Sequence, residues 1–488
     1  MTNLARWSIV AVRWAVRLVM VPIVARRHRP NDALAWLALI AALPWIGPSL
    51  YFLFGEVGQR RRLRRHAEIR DRLESEERVE EQASWALVSP EEVDGDEDVI
   101  EMVRVIDGLN ERRTHGLPIL AGNRVDLLHD TDEAVDAIVA AIGSARHHVH
   151  LLFFIYNPDA TGERVAEALL VAARRGVACR VLADDYGSDR FAEPSFFDTL
   201  APRLTAGGVA VGKMLPIRRV RRPFARVDVR NHRKLAVIDG EVAFTGSLNI
   251  HDADFHLADG HWVQLTLRLE GPAVHQLQLV FVEDWFFTTG ELLDREAHFP
   301  PPERCGDIFV QTVPGGPTYE SDLMEHMVIA AINNSDRRVI IATPYLVLTE
   351  ATQIALRLAS LRGVRVQVVV PQRSDQRLAD LAARSHFASL LDDGVEIHLH
   401  QRGLLHAKAL SVDDRFALVG TANFDRRSFR VNYELNLALY GHRVARQVRQ
   451  CQEGFLADAT PVDRDEWRAR GRRRELLEDT AKLFSPLL

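Results

Sequence analysis

The distribution of apolar and polar residues along the chain predicts an N-terminal membrane anchor. Two apolar runs lie at residues 7–25 and 33–54, and each approaches the roughly 20 residues that a helix needs to cross hydrocarbon. Arg13 and Arg17 lie one turn apart on the first run, so this run either spans the bilayer or lies in its interface. The pattern therefore predicts a membrane-anchoring helical hairpin within residues 1–65.

The pattern beyond residue 122 is typical of an α/β sheet. A buried-strand run at 147–156 is followed by an amphipathic helical run at 162–176 and a second strand run at 177–185, which together form a βαβ unit. The same order returns at 337–371. We therefore predict an α/β protein of two similar α/β/α halves packed together. The first half spans residues 122–300, and the second spans 301–488 with a C-terminal helical tail, after an acidic linker and helix at 66–121.

Polar residues repeat between the two halves at a constant offset of 174 positions. His232 and Lys234 are two residues apart in a predicted strand, so both side chains face the same side, roughly 6.6 Å apart along it. If Asp239 and Gly240 form a two-residue hairpin turn, Ser247 faces His232 across the hairpin. The predicted catalytic residues are His232, Lys234, Asp239, His406, Lys408 and Asp413, and the predicted phosphate-binding residues are Ser247, Asn249, Thr421 and Asn423.

The use of lysine supports this interpretation. Lysine occurs at four positions only, although the chain has 61 basic residues, and Lys234 and Lys408 each follow a histidine by two residues. In a chain that otherwise uses arginine, these positions require a compact ammonium charge rather than a planar guanidinium. A metal site is disfavoured because a lysine beside each histidine repels a cation, and the three cysteines, Cys179, Cys305 and Cys451, are far apart.

Two imidazoles with two ammonium groups suit phosphodiester exchange without a metal or another cofactor. One neutral histidine attacks phosphorus, and the other, as imidazolium, protonates the leaving oxygen. The ammonium groups and the asparagine amides hold the non-bridging oxygens. The net charge of -6 argues against a general nucleic-acid-binding protein.

The segments NHRKLAVIDGEVAFTGSLN (231–249) and LLHAKALSVDDRFALVGTANFDRRSF (404–429) resemble the paired HKD motifs of the phospholipase D superfamily. The anchor, the segment LRLEGPAVHQLQLVFVEDW, the segment VNYELNLAL and the terminal KLFSPLL are similar to bacterial cardiolipin synthases. The resemblance implies that two phosphatidylglycerols are joined into cardiolipin with release of glycerol, through a covalent phosphatidyl-histidine at His232, without a metal. The implied partners are phosphatidylglycerol, other anionic phospholipids and the membrane, with no nucleic acid and no obligate protein partner.

The same resemblance implies a location in the bacterial inner membrane. Five arginines follow the second apolar run, at positions 60, 61, 62, 64 and 65, whereas three lie between the two runs, at positions 26, 27 and 29. Because basic residues favour the cytoplasmic side, the catalytic part is predicted to be cytoplasmic. Four further arginines, Arg218, Arg219, Arg221 and Arg222, form either a solvated loop or a contact with anionic lipid, where each would contribute about 1 kcal/mol.

The chain departs from the family pattern after the first motif. Trp262, Val263 and Gln264 stand where the family usually has tryptophan, any residue and aspartate. Glu434, 28 residues after His406, matches the glutamate that orients a motif histidine in similar enzymes, and such partners fix the histidine tautomer. We therefore predict that Glu434 supports His406 and that the neutral Gln264 supports His232. Three aspartates, Asp252, Asp254 and Asp259, are alternative partners in the first half.

Four other functions remain open from the sequence. They are a hydrolytic phospholipase D, a phosphatidyltransferase that uses another alcohol, a phosphodiesterase acting on nucleic acid, and a non-catalytic membrane scaffold. The intact double motif disfavours the scaffold, and the anchor disfavours the nuclease. Hydrolysis and transfer differ in whether water is excluded from the site, which no motif reveals.

Overall fold

The computed structural model describes residues 3–26, 30–54, 92–93, 97–111, 117–190, 194–217, 228–257, 260–293, 296–319 and 322–482. The chain divides into two compact units. One contains Met1–Arg65 and Ile217–Val229, and the other contains His66–Pro216 and Arg230–Leu488.

The N-terminal region forms three helices, α1 (Asn3–Ala25), α2 (Pro30–Ala42) and α3 (Ile46–Phe54). The second predicted membrane segment is therefore not one helix. It is interrupted around Pro44, which has no N–H to donate within a helix. Among the described residues, no helix is both long enough and apolar enough to cross a membrane. The prediction of helical structure in the N-terminal region is confirmed.

Among the described residues, the larger unit contains one mixed sheet of 15 strands and two small sheets of two strands each. Its first-half strands are β1 (Leu120–Leu128), β2 (His148–Phe153), β3 (Ala178–Asp184), β4 (Ala210–Met214), β5 (Leu235–Ile238), β6 (Val242–Gly246), β7 (Trp262–Val263) and β8 (Thr266–Glu270). Its second-half strands are β9 (Ile308–Gly315), β10 (Arg338–Ala342), β11 (Leu346–Val347), β12 (Arg365–Pro371), β13 (Glu396–His400), β14 (Leu404–Leu405), β15 (Ala409–Val412), β16 (Phe416–Gly420), β17 (Phe424–Asp425), β18 (Glu434–Tyr440) and β19 (Ala459–Pro461).

Helices flank this sheet. They are α4 (Glu97–Glu111), α5 (Thr131–Ser144), α6 (Ala160–Arg174), α7 (Asp185–Arg190), α8 (Leu200–Ala206), α9 (Ala273–Thr289), α10 (Leu323–Asn333), α11 (Glu350–Leu361), α12 (Arg377–Arg384), α13 (Phe387–Asp392), α14 (Arg426–Arg430), α15 (His442–Ala457), α16 (Arg464–Arg468) and α17 (Arg472–Lys482). A short 3₁₀ helix spans Glu296–His298. Helix α4 lies in the predicted acidic linker.

The strand order shows the predicted duplication. The first half runs β1-β8-β6-β5-β2-β3-β4, and the second runs β9-β18-β16-β15-β10-β12-β13 with β19 added at its edge. The two halves join where β1 pairs with β9 in antiparallel fashion. In each half a buried central strand, β2 or β10, pairs in parallel with the strand that follows its helix. The α/β class and the two similar halves are therefore confirmed.

The hairpin that carries the first motif is one residue longer than predicted. Ile238 pairs with Val242, so the turn contains three residues rather than two, and Asp239 and Gly240 both have positive φ. The second hairpin has the same form, because Val412 pairs with Phe416. A shift of one residue changes which side chains lie opposite each other. Ser247 is consequently not the residue in register with His232.

Candidate active site

The two histidine-lysine pairs occupy equivalent places. His232 and Lys234 immediately precede β5, and His406 and Lys408 immediately precede β15. Each ammonium group donates a hydrogen bond to the carbonyl oxygen of its own histidine, at 2.7 Å in the first half and 2.6 Å in the second. All four side chains are buried or nearly so. The prediction that each pair lies within a strand is wrong, but each lysine lies within hydrogen-bond distance of the backbone of its own histidine.

The two motifs are joined crosswise between the halves. The backbone N–H of His232 donates to the carbonyl oxygen of Tyr433 at 2.9 Å, and that of His406 donates to the carbonyl oxygen of Val263 at 2.8 Å. Strand β14, just before His406, pairs in parallel with β7. Each histidine thus lies beside the segment that follows the hairpin of the other half.

The four groups are close enough to affect one another's protonation. The pKa of His232 is lowered to about 4, mainly by burial; Glu434 opposes this effect, and the ammonium groups of Lys234 and Lys408 add to it. Burial also brings the pKa of His406 well below its usual value, and the same two lysines act in the same direction. Because each histidine responds to both lysines, the two motifs share one site, in which the ammonium forms of the lysines suit an anionic phosphodiester.

Glu434 contacts His232, and the prediction that it supports His406 is wrong. Its carboxylate oxygens lie 3.1 and 3.0 Å from Nδ1 of His232, and its side chain is fully buried. Burial raises the pKa of Glu434, but His232 and Lys234 outweigh this effect and the net pKa is lowered. The carboxylate is therefore charged and accepts the Nδ1 hydrogen of His232. Closeness in sequence to His406 was misleading because the halves exchange these segments.

The crosswise arrangement also moves Gln264 away from the histidine to which the sequence assigned it. Gln264 directly follows Val263, whose carbonyl oxygen accepts the backbone hydrogen bond of His406. Glu434 directly follows Tyr433, which plays the same part for His232. Gln264 is therefore the equivalent of Glu434 on the His406 side. Within the described part of the chain, neither the Gln264 amide nor Nδ1 of His406 has a hydrogen-bond partner, and both are buried.

The two hydroxyl groups predicted to bind phosphate instead bond within the protein. Thr421 Oγ1 donates to Glu434 at 2.5 Å and accepts from the backbone of Leu435 at 2.8 Å. Ser247 Oγ accepts from the backbone N–H of Leu265 at 2.8 Å and donates to its carbonyl oxygen at 3.3 Å. Because each hydroxyl hydrogen is already donated, these residues support the site rather than contact phosphate. The longer hairpin turn explains the difference from the prediction.

The two asparagines differ in their contacts. Asn249 Oδ1 accepts from the backbone N–H of Ile155 at 3.2 Å, so Nδ2 is the end of this amide that can donate to a phosphate oxygen. Asn423 Nδ2 donates to Asp425 at 3.1 Å. The first-half amide therefore fits the predicted phosphate contact better than the second-half amide.

Asp239 and Asp413 have structural roles, which corrects their prediction as catalytic residues. The carboxylate of Asp239 accepts the backbone N–H groups of residues 146–148, each at 2.8 Å. That of Asp413 accepts those of residues 336–338 at 2.6 to 2.9 Å. Both aspartates follow the ends of β5 and β15 that are remote from the lysines. They anchor the motif hairpin to the start of the neighbouring central strand.

A buried ion pair behind the first motif escaped the sequence analysis. Arg233 is 1% exposed, and its guanidinium donates to Asp284 at 2.7 Å and to the carbonyl oxygen of Glu434 at 3.1 Å. Asn231 Nδ2 also donates to Asp284, at 3.0 Å. These contacts fix the positions of Asn231 and Arg233, the residues on either side of His232. An arginine between His232 and Lys234 was the available signal, since Ala407 occupies the equivalent position in the second motif.

Some predicted residues lie outside the described residues. These are Arg218, Arg219, Arg221 and Arg222 of the predicted lipid surface, together with Asp259. Asp252, another alternative partner, accepts the backbone N–H of Thr161 at 2.8 Å. No group of three or more His, Cys, Asp or Glu side chains that could hold a metal ion occurs within the described ranges.

Comparison with known proteins agrees with this fold. A family model described as "Cardiolipin synthase, PLD-like domain" matches residues 138–285 and 328–455, and one described as "Phospholipase_D-nuclease N-terminal" matches residues 7–56. The solved structure of phosphatidylserine synthase from Haemophilus influenzae Rd KW20 has a TM-score of 0.60 at 15% identity, and the match covers 78% of this chain and 97% of that one. The fold is thus that of the phospholipase D superfamily.

The curated relatives define the family more narrowly. Cardiolipin synthase A of Yersinia pseudotuberculosis serotype O:1b (strain IP 31758) is 32% identical over 484 residues, which cover 96% of each chain. Cardiolipin synthase A of Erwinia tasmaniensis is 32% identical over 494 residues, which cover 99% of this chain and 98% of the relative. The chain belongs to the cardiolipin synthase family of enzymes, as its motifs predicted.

Proposed function

We propose that this enzyme joins two phosphatidylglycerols into cardiolipin and releases glycerol, through a covalent phosphatidyl-histidine. The observation that carries the proposal is the buried contact between Glu434 and His232, which prepares His232 to attack, whereas Nδ1 of His406 has no partner among the described residues. The names of the curated relatives support the choice of substrate and product.

In the first step, His232 is the nucleophile. Its Nδ1 hydrogen is donated to Glu434, so the lone pair lies on Nε2 and attacks phosphorus. The bond from phosphorus to the glycerol oxygen breaks as the N–P bond forms. His406, as imidazolium, gives its proton to that oxygen, so that glycerol leaves as a neutral alcohol.

In the second step, the roles of acid and base are reversed. A headgroup hydroxyl of a second phosphatidylglycerol loses its proton to His406, and its oxygen attacks the phosphorus. The N–P bond breaks, cardiolipin forms, and His232 returns to its neutral state. Each histidine has then recovered its starting protonation state, so the cycle is balanced.

The partners of the two histidines favour His232 as the nucleophile and His406 as the acid. The phosphorylated imidazole of His232 is cationic, and the adjacent charge of Glu434 stabilises it. On the His406 side, Gln264 would orient the ring without adding charge, so burial and the two lysines keep the pKa of His406 low. The anionic phosphodiester brings a negative charge beside His406 when it binds, which favours the imidazolium form that donates the proton. His232 thus remains the proposed nucleophile, although its partner differs from the one predicted.

The lysines and Asn249 hold the non-bridging phosphate oxygens. Burial lowers the pKa of Lys234 to about 7, partly opposed by Glu434 and Asp184. An anionic phosphodiester brings countercharge into the pocket and favours the ammonium form of both lysines. The bound substrate therefore completes the charge balance of the site.

The test is to incubate the purified protein with phosphatidylglycerol vesicles and to identify the products by mass spectrometry. We expect cardiolipin and free glycerol in equal amounts. Phosphatidic acid as the sole lipid product would replace the proposal with a hydrolytic phospholipase D. Transfer to an added alcohol in preference to phosphatidylglycerol would indicate a transferase with another acceptor.

Lys234→Arg or Lys408→Arg is expected to lower kcat at least about 10²-fold, because removing a transition-state charge contact costs on this order and a planar guanidinium does not fit the place of a compact ammonium. Kinetics on phosphatidylglycerol vesicles measure the effect. Lys213→Arg is the matched control, since Lys213 is exposed and forms an ion pair with Asp185. Wild-type kcat in a folded Lys408→Arg protein would contradict the phosphate role.

We further propose that the enzyme acts at the cytoplasmic face of the bacterial inner membrane on anionic phospholipids. Support comes from the family model over residues 7–56 and from the five arginines between residues 60 and 65. The arginines at 218, 219, 221 and 222 remain a sequence-based proposal for lipid contact.

A further inference from the structure

A third buried histidine lies beside the proposed acid. The ring of His251 is stacked on Phe255 at 4.5 Å and meets Trp262 edge-on at 4.8 Å. The ring of Trp262 in turn lies 4.5 Å from that of His406. Besides burial, Lys234 lowers the pKa of His251, and His251 in turn lowers that of His406. Together with the ring contacts, this places His251 beside both motifs.

The hydrogen bonding of His251 fixes what it can offer. Its Nδ1 lies 2.8 Å from the carbonyl oxygen of Asp252, and because a carbonyl can only accept, Nδ1 carries the hydrogen. Nε2 of the neutral ring is then an acceptor. Burial lowers the pKa of His251 to about 4, and Lys234 contributes to this lowering, so the ring is neutral near pH 7.

No described residue donates a hydrogen bond to this acceptor. Nε2 of His251 is buried and has no hydrogen-bond partner among the residues that the structure describes. An unsatisfied buried acceptor is costly, so sites that retain one commonly fill it with a ligand or a water molecule. His251 is therefore poised to accept one hydrogen bond from whatever enters the site.

The second half has a different group at the equivalent position. The residue equivalent to His251 is Asp425, whose carboxylate accepts from the backbone N–H of Ser428 at 2.7 Å and from Asn423 at 3.1 Å. Among the described residues, an unpaired imidazole acceptor at this position thus occurs in the first half only, although Asn423 Oδ1 in the second half is also buried without a partner. His251 lies on the side of His406, where the proposed mechanism places the departing and arriving alcohols.

We propose that Nε2 of His251 accepts a hydrogen bond from a second hydroxyl group of the glycerol headgroup, and that it selects polyols over simple alcohols. The inference rests on the proposed function, because it requires that the alcohol oxygen be protonated by His406. A monohydric alcohol reaches His406 but leaves Nε2 of His251 unfilled. The same contact serves the leaving glycerol and the headgroup of the incoming phosphatidylglycerol.

The experiment is a competition between two alcohols in the full-length enzyme. Phosphatidylglycerol vesicles are incubated with equal concentrations of deuterated glycerol and 1-propanol, and the ratio of deuterated phosphatidylglycerol to phosphatidylpropanol is measured. We expect His251→Leu to lower this ratio at least about tenfold, because a site built to hydrogen-bond a hydroxyl discriminates against compounds lacking it. His251→Gln, which keeps an acceptor oxygen, should recover part of the preference.

His256→Leu is the matched control, since His256 is an exposed imidazole in the same segment, and its ratio should equal that of the wild type. Because the ratio is measured within one enzyme, it does not depend on how much protein folds. An unchanged ratio in His251→Leu, or in His251→Gln if the leucine variant is unstable, would overturn the role of His251 alone. A wild-type enzyme that transfers to neither alcohol nor to phosphatidylglycerol would overturn the proposed function itself.

Discussion

Glu434→Gln is expected to lower kcat about 10³-fold, which is within the range for losing general acid-base support of a catalytic histidine. The amide keeps the shape of the side chain, and Thr421 can still donate to its oxygen. It cannot, however, neutralise the cationic phosphorylated ring of His232, and its NH₂ group can hold the ring in the wrong tautomer. Steady-state kinetics measure the loss, and thermal unfolding shows whether the fold is retained.

The matched comparison is Gln264→Glu, which adds a carboxylate on the other side of the site. A negative charge beside His406 raises its pKa, so the imidazolium form persists to higher pH. The alkaline limb of the profile of kcat/KM against pH should therefore move to higher pH. Glu434→Gln should produce no such shift. A folded Glu434→Gln protein with wild-type kcat, or a Gln264→Glu protein with an unmoved alkaline limb, would contradict the assignment of these partners.

His406→Ala is expected to accumulate the covalent intermediate on His232. Without His406 the second alcohol loses its general base, so formation of cardiolipin from the intermediate is slowed by roughly 10² to 10⁴-fold. A donor with a good leaving group needs no acid in the first step and still loads the enzyme. Proteolysis after an alkaline quench, followed by mass spectrometry, should find the phosphatidyl group on the peptide that contains His232.

His232→Ala is the control for this experiment, and it should carry no adduct under the same conditions. An adduct on the peptide that contains His406 in the His232→Ala protein, together with an unloaded His406→Ala protein, would reverse the two roles. That outcome would leave the family assignment unaffected, because both histidines would still be essential. The proposal for His251 would then need re-examination, since it depends on the alcohol lying beside His406.

The candidate site could be located largely from the sequence. The repeated spacing of His232 and Lys234 with His406 and Lys408 is a local property, because strand geometry places residues two apart on one face. The scarcity of lysine marked the same positions independently. The strand and helix runs also gave the two α/β halves, since the apolar periodicity of each element depends on which face it buries.

The number of residues in the hairpin turn could not be predicted from the sequence. A two-residue turn at Asp239 was the simplest interpretation, but the structure has Ile238 paired with Val242. The additional turn residue allows the Asp239 carboxylate to accept three backbone N–H groups. This cluster forms only when the hairpin packs against β2. The three donors belong to residues 146–148, so the sequence of the hairpin alone does not indicate them.

The sequence by itself thus determined the two halves, the family and the four groups of the paired motifs. The tertiary structure alone decided which carboxylate serves which histidine. Glu434 lies 28 positions from His406 but contacts His232, which is 202 positions away. Such a contact depends on how two complete halves exchange their segments, and sequence distance carries no information about that exchange. For the same reason, only the folded chain revealed that Gln264 and the open acceptor of His251 belong to the side of His406.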